Sequence, residues 1–191
     1  MAVKTDSAAL TALLDRTRTE SGRTLLQLVD ESPVLLVFLR HFGCAFCRQA
    51  IDDVSKIRPD LTRLGVQAAF VHLGSPERAK PYFDYYNLSD VERVSNPDGS
   101  LYSDPVFALA RVSLWQLFRP AVWIGWLRGA IFKYRIGLLK EDIQQMPGVF
   151  FLKDRVIANL YRHRTAGLPC NCRRAEVART CRSGSAQRSQ V

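Results

Sequence analysis

Pro33-Val-Leu-Leu-Val-Phe-Leu-Arg-His-Phe-Gly-Cys-Ala-Phe-Cys-Arg48 is the stretch on which the fold turns. Pro33 opens a continuous apolar run, Val34 to Leu39, rich in branched residues, which is how a strand covered on both faces reads. Arg40-His41-Phe42-Gly43 is a short, bendable connection into Cys44-Ala45-Phe46-Cys47. From Cys47 onward Ala50, Ile51, Val54, Ile57, Leu61 and Leu64 recur three or four residues apart, the spacing of one buried helix face. Pro59 inside that pattern predicts a kink or a split, and Gly65 an end. A buried strand thus hands over to a helix, with a Cys-x-x-Cys pair at the junction.

Working outward, residues 7–30 carry Leu10, Leu13, Leu14, Leu25, Leu28 and Val29 mostly at helical spacing, divided at Ser21-Gly22. Val66 to Leu73 reads as a second buried strand. Ser75-Pro76-Glu77 has the composition of a helix start and predicts a helix over 77–87. Asn96-Pro97-Asp98-Gly99 is a turn. Met146-Pro147-Gly148 precedes a β-hairpin whose strands are Val149 to Leu152 and Val156 to Tyr161, with the tight turn at Lys153-Asp154. The order of elements implies an α/β fold with a mixed sheet.

With 191 residues, 47% hydrophobic and 24% charged, the chain buries a core of its own, which excludes collagen-like, coiled-coil and wholly disordered classes. Five cysteines are too few for a disulfide-stapled scaffold, and residues 1–9 lack the apolar stretch of a secretion signal. A reducing cytoplasm is the expected location, where a close cysteine pair is catalytic or metal-binding more often than structural. The net charge of +9 is uneven: residues 111–140 hold six basic residues and no acid, while residues 1–110 are slightly acidic. Trp115, Trp123 and Trp126 lie in that basic segment. It reads as short helices extending the core, as a lid over the cysteines, or as a membrane-interface element through 111–135. Its longest uncharged stretch, Pro120 to Leu127, is too short to span a bilayer. The basic C-terminal end lacks interleaved aromatics, so nucleic acid is not an expected partner.

The cysteine pair carries the chemistry. A helix N-terminus offers unpaired N–H groups and a partial positive charge, both of which favour a thiolate. His41 and Arg48 add positive potential nearby, and two intervening residues bring both sulfurs within disulfide reach. Redox chemistry is the leading reading and requires no metal or organic cofactor. The alternatives are two packed cysteines, or half of a zinc site completed by Cys170 and Cys172. Those two, with Cys181, fall in a basic segment, 170–191, expected to be a flexible tail behind a domain over 1–169; a thiol relay, a metal clip and plain exposed thiols are its readings. His72, inside an apolar strand, is expected to be a satisfied core residue.

Leu35 to Arg48, together with Asn96-Pro97-Asp98-Gly99-Ser100-Leu101-Tyr102, Leu114-Trp115, Gln145 to Leu152 and His163-Arg164, resembles the peroxiredoxin-like AhpC/TSA antioxidant-enzyme family that carries a Cys-x-x-Cys motif. The resemblance covers about residues 20–168. It implies a thioredoxin-like fold with the Trp/Arg-rich segment inserted before the hairpin, and makes Met146-Pro147 a cis-proline facing the cysteines. It further implies a thiol redox enzyme that reduces a peroxide or a disulfide and is recycled by an external thiol of the thioredoxin or glutathione kind. Aligned to peroxiredoxins, Cys47 takes the place of the peroxide-attacking cysteine, Cys44 that of a threonine, and Arg40 that of a proline. Aligned to thioredoxins, Cys44 attacks and Cys47 resolves. A non-catalytic binding module on the same scaffold is the reading from a different class.

Overall fold

The computed structural model describes residues 7–111 and 144–162. Its elements are α1 (Ser7–Arg16), α2 (Leu25–Glu31), β1 (Val34–Phe38), α3 (Ala45–Arg63), β2 (Gln67–His72), α4 (Pro76–Tyr85), β3 (Glu92–Ser95), α5 (Ser100–Ser103), β4 (Gly148–Lys153) and β5 (Val156–Arg162). The strands form a sheet in the order β3-β2-β1-β4-β5. β1 runs parallel to β2 and antiparallel to β4; β2 and β3 are parallel, and β4 and β5 form the antiparallel hairpin. The fold is α/β with a central mixed sheet and flanking helices, as the element order implies.

The apolar run in β1 is continuous because both of its faces are covered. Leu36 and Phe38 pack with Leu10, Leu14 and Leu28 from α1 and α2, and with Tyr102, Phe107 and Phe150. Leu35 and Val37 face the other way, onto Ile51 and Val54 of α3 and Phe83 of α4. Removing that much apolar surface from water is the main stabilising contribution, at about 25 cal/mol per Å².

Several boundaries differ from the sequence reading. The division expected at Ser21-Gly22 spans residues 17–24, and α2 begins at a capping box: Gln27 N–H donates to Thr24 Oγ1 at 3.1 Å, and Thr24 N–H to Gln27 Oε1 at 2.8 Å. Pro59 does not split α3, which runs through it to Arg63; a proline removes one intrahelical donor, and the buried face on either side outweighs that loss here. The strand β3 escapes periodicity because, of its four residues, only Val94 is fully buried. The hairpin turn falls at Asp154-Arg155, with φ of +51° and +58°, not at Lys153-Asp154. Two consecutive left-handed residues match the twist of a two-residue hairpin.

The expectation of a cis bond before Pro147 is also corrected, since no described peptide bond is cis. Pro147 is buried immediately before β4, where a trans bond is the lower-energy form by about 0.5–1 kcal/mol. The Trp/Arg segment beyond Arg111, residues 163–169 and the tail 170–191 with its three cysteines lie outside the described residues. Among the described residues no helix is long and apolar enough to cross a membrane.

Candidate active site at the Cys44–Cys47 helix start

The C-terminal ends of parallel strands are where an open α/β sheet presents its functional groups. β1 delivers Leu39 and Arg40 to that edge, and the register Phe38↔Gly148 brings Pro147 alongside Leu39. The chain then turns: Cys44 N–H donates to the His41 carbonyl at 3.0 Å. Cys44 is the N-cap of α3 with extended backbone (φ −82°, ψ 122°). Its carbonyl accepts the N–H groups of Cys47 and Arg48 at 3.1 and 3.2 Å, which closes the first helical turn.

The two thiols differ. Cys44 is half-buried and Cys47 is buried at 3% exposure; both are reduced. A hydrogen bond from the Cys47 thiol holds the Cys44 thiol down at about 6. Burial opposes this, while the Arg40 charge and the N–H groups of Cys47 and Phe46 reinforce it. Cys47 goes the other way. Burial pushes it well above the ordinary thiol value, and its hydrogen bond to Cys44 and the charge there add to the rise. The Arg40 charge and the Arg40 N–H, which donates to Cys47 Sγ at 3.2 Å, offset only part of that. Near neutral pH the pair is therefore a Cys44 thiolate beside a Cys47 thiol.

Of the residues expected to support the thiolate, His41 is buried and supplies the carbonyl that receives the Cys44 amide. The Arg48 Nε donates to the Phe42 carbonyl at 3.0 Å, and its guanidinium lies 5.2 Å from the Tyr82 ring centre. Phe42 stacks on Tyr82 at 4.7 Å, so Arg48 clamps the connection between β1 and α3 against α4. A positive charge that reaches both sulfurs is that of Arg40, buried at 7% exposure, which in the sequence stands out only as a departure from the peroxiredoxin pattern. A cation closing a wholly apolar run four residues before a cysteine pair is the signal the sequence offers.

His72 is the satisfied core residue expected of it. Its Nδ1 lies 2.9 Å from the Gly74 carbonyl oxygen and its Nε2 2.9 Å from Glu20 Oε1. Glu20 also receives Arg93 Nε at 2.8 Å. Burial works against the Glu20 carboxylate, yet the hydrogen bonds from His72 and Arg93 hold its carboxyl below the ordinary range.

Among the described residues, a strand-to-helix Cys-x-x-Cys on a mixed five-stranded sheet gives a thioredoxin-like fold, and solved structures agree. The bacterioferritin comigratory protein of Xanthomonas campestris matches with a TM-score of 0.62 at 13% identity, covering 98% of this chain and 99% of that one. Peroxidoxin BcpB of Mycobacterium tuberculosis matches at 0.60 and 13% identity (87% and 90% covered), and the Plasmodium vivax 2-Cys peroxiredoxin at 0.59 and 11% (88% and 73%). Among curated proteins, the prostamide/prostaglandin F synthase of Salmo salar is 45% identical over 53 residues, which is 28% of this chain and only 26% of that relative's length. No family model matches the chain.

Proposed function

We propose that the chain is a thiol-based redox enzyme in which Cys44 attacks and Cys47 resolves. The observation that carries this is the asymmetry of the pair: the more accessible thiol is held at about 6, and the buried one is pushed up. Cys44 thiolate attacks a disulfide, forming a mixed disulfide and releasing one substrate thiolate. Cys47 then gives up its proton and attacks Cys44 Sγ, which forms the Cys44–Cys47 bridge and releases the second thiolate. An external dithiol returns the pair to its reduced form.

A peroxide is the second substrate class, supported by the similarity to peroxiredoxins, one of them described by its alkyl peroxide reduction activity. Here Cys44 thiolate takes one peroxide oxygen to become a sulfenic acid, an alcohol or water leaves, and Cys47 displaces water to form the same bridge. The buried, high-pKa Cys47 is poorly suited to the first attack, which favours the thioredoxin-type order for either substrate.

The test is turnover of a model disulfide and of hydrogen and alkyl peroxides by wild type and by Cys44→Ser/Cys47→Ser, with a thiol reductant present. Loss of turnover in the variant supports the proposal. Equal turnover in both proteins removes it, and none in either removes it in favour of a binding module.

A further inference from the structure

Tyr102 is completely buried beneath the C-terminal ends of β1 and β2. The turn before α5 sets it there. Asn96 N–H donates to the His72 carbonyl at 2.8 Å, and the Asn96 side chain accepts the Leu101 N–H at 2.9 Å. Gly99, with φ of +69°, then starts the short helix in a left-handed conformation that suits glycine. The Tyr102 ring packs edge-on to Phe38 with centroids 5.0 Å apart.

The hydroxyl points at backbone. It donates to the Leu39 carbonyl and lies 3.0 Å from that of Val71, which already receives the Leu39 N–H at 2.8 Å. The Leu39 carbonyl belongs to the same peptide unit as the Arg40 N–H, the donor to Cys47 Sγ. A donor on the oxygen of an amide draws electron density from its nitrogen, and hydrogen bonds in a chain strengthen one another.

We propose that Tyr102 is a positioning residue for Cys47: its hydroxyl polarises the Leu39–Arg40 peptide unit and strengthens the N–H···S bond that this unit makes to the resolving sulfur. A phenylalanine would fill the same space, so the oxygen needs another reason to be buried, and an aligned donor supplies one. Burial, and then the charge on Cys47, push the phenol well above its ordinary value, which keeps it protonated and a donor at neutral pH. The ionisable groups acting on Cys47 are Cys44, Arg40 and Tyr102. The consequence for turnover rests on the thiol redox proposal, since Cys47 must lose its proton to close the bridge. The bond itself does not depend on it.

The experiment follows the Cys47 Cβ resonance against pH by NMR in full-length, 13C-cysteine-labelled Cys44→Ser, alone, with Tyr102→Phe, and with 3-fluorotyrosine at position 102; its absence in Cys44→Ser/Cys47→Ser separates it from Cys170, Cys172 and Cys181. Tyr102→Phe is expected to raise the Cys47 midpoint by about half a pH unit, a roughly threefold loss of thiolate. The fluorinated ring, a stronger donor of nearly the same shape, is expected to lower it. The Arg40 amide proton resonance moves in opposite directions in the two proteins. Phe150→Leu, a perturbation of the same aromatic core remote from the hydroxyl, leaves the midpoint in place. Shifts of the same sign in both Tyr102 proteins, or no shift in a folded one, overturn the proposal. If Tyr102→Phe does not fold, the fluorotyrosine arm decides alone. Opposite shifts in a protein without turnover would uphold the relay while the redox proposal falls; full turnover without shifts would do the reverse.

Discussion

The Arg40 N–H donates to Cys47 Sγ at 3.2 Å, so the end of β1 and the first turn of α3 are tied together through a thiol. Arg40 thereby acts twice. Its backbone holds the buried sulfur, and its charge favours the thiolate at both cysteines. The connection between strand and helix is only six residues long, and its geometry sets which sulfur ionises first.

Replacing Cys47 by alanine removes the hydrogen bond that contributes most to holding Cys44 down. The Cys44 midpoint is expected to climb from about 6 toward the ordinary thiol value of about 8.5. The rate of iodoacetamide labelling against pH measures it. Cys44 labels as a thiolate, so its rate rises with pH through the midpoint, and at neutral pH the variant labels more slowly.

Arg40→Met keeps the N–H and removes the charge. The Cys44 midpoint is expected to rise by about one pH unit, the lower end of what a neighbouring opposite charge does. Arg48→Met, whose guanidinium sits over Tyr82 instead, should move it less. The same labelling assay compares the two.

Glu20 links His72 and Arg93 behind the site. Its folded carboxyl lies below the ordinary value, so its stabilisation is full above the ordinary carboxyl range and is lost as pH falls through the folded value. Glu20→Gln is expected to cost about 2 kcal/mol at neutral pH. Urea unfolding of both proteins at neutral pH and near pH 3 checks this, with the gap narrowing in acid.

Much of this was legible in the sequence. The continuous run from Val34, the three-four spacing after Cys47 and the alternation after Val156 each follow from which faces the fold covers, and each gives an element close to its observed bounds. β3 was not legible, because an edge strand with one fully buried side chain has no pattern to read. The cysteine pair announced itself by spacing. Arg40 and Tyr102 did not, because their effect on the thiols depends on a shared peptide unit and on two segments, 39–47 and 96–102, that only the folded sheet brings together. The trans bond at Pro147 shows the limit of resemblance as a guide to one bond.

Gly148 opens β4 where a Cβ would lie 2.5 Å from Leu109 Cδ2 and 3.2 Å from the Phe150 ring. Gly148→Ala is expected to destabilise by about 1–3 kcal/mol through overpacking. Adding Leu109→Val should recover part of the loss, which a double-mutant cycle of denaturant midpoints would detect.

The order of attack separates the two thiols chemically, and trapping reads it without an intervening step. Reduced wild type, Cys44→Ser and Cys47→Ser would each be given one equivalent of a model disulfide, and the adducts located by peptide mass. A stable mixed disulfide on Cys44 in Cys47→Ser, with none on Cys47 in Cys44→Ser and an internal bridge in wild type, is the expected result. A mixed disulfide that accumulates on Cys47 while Cys44 stays unmodified would contradict it.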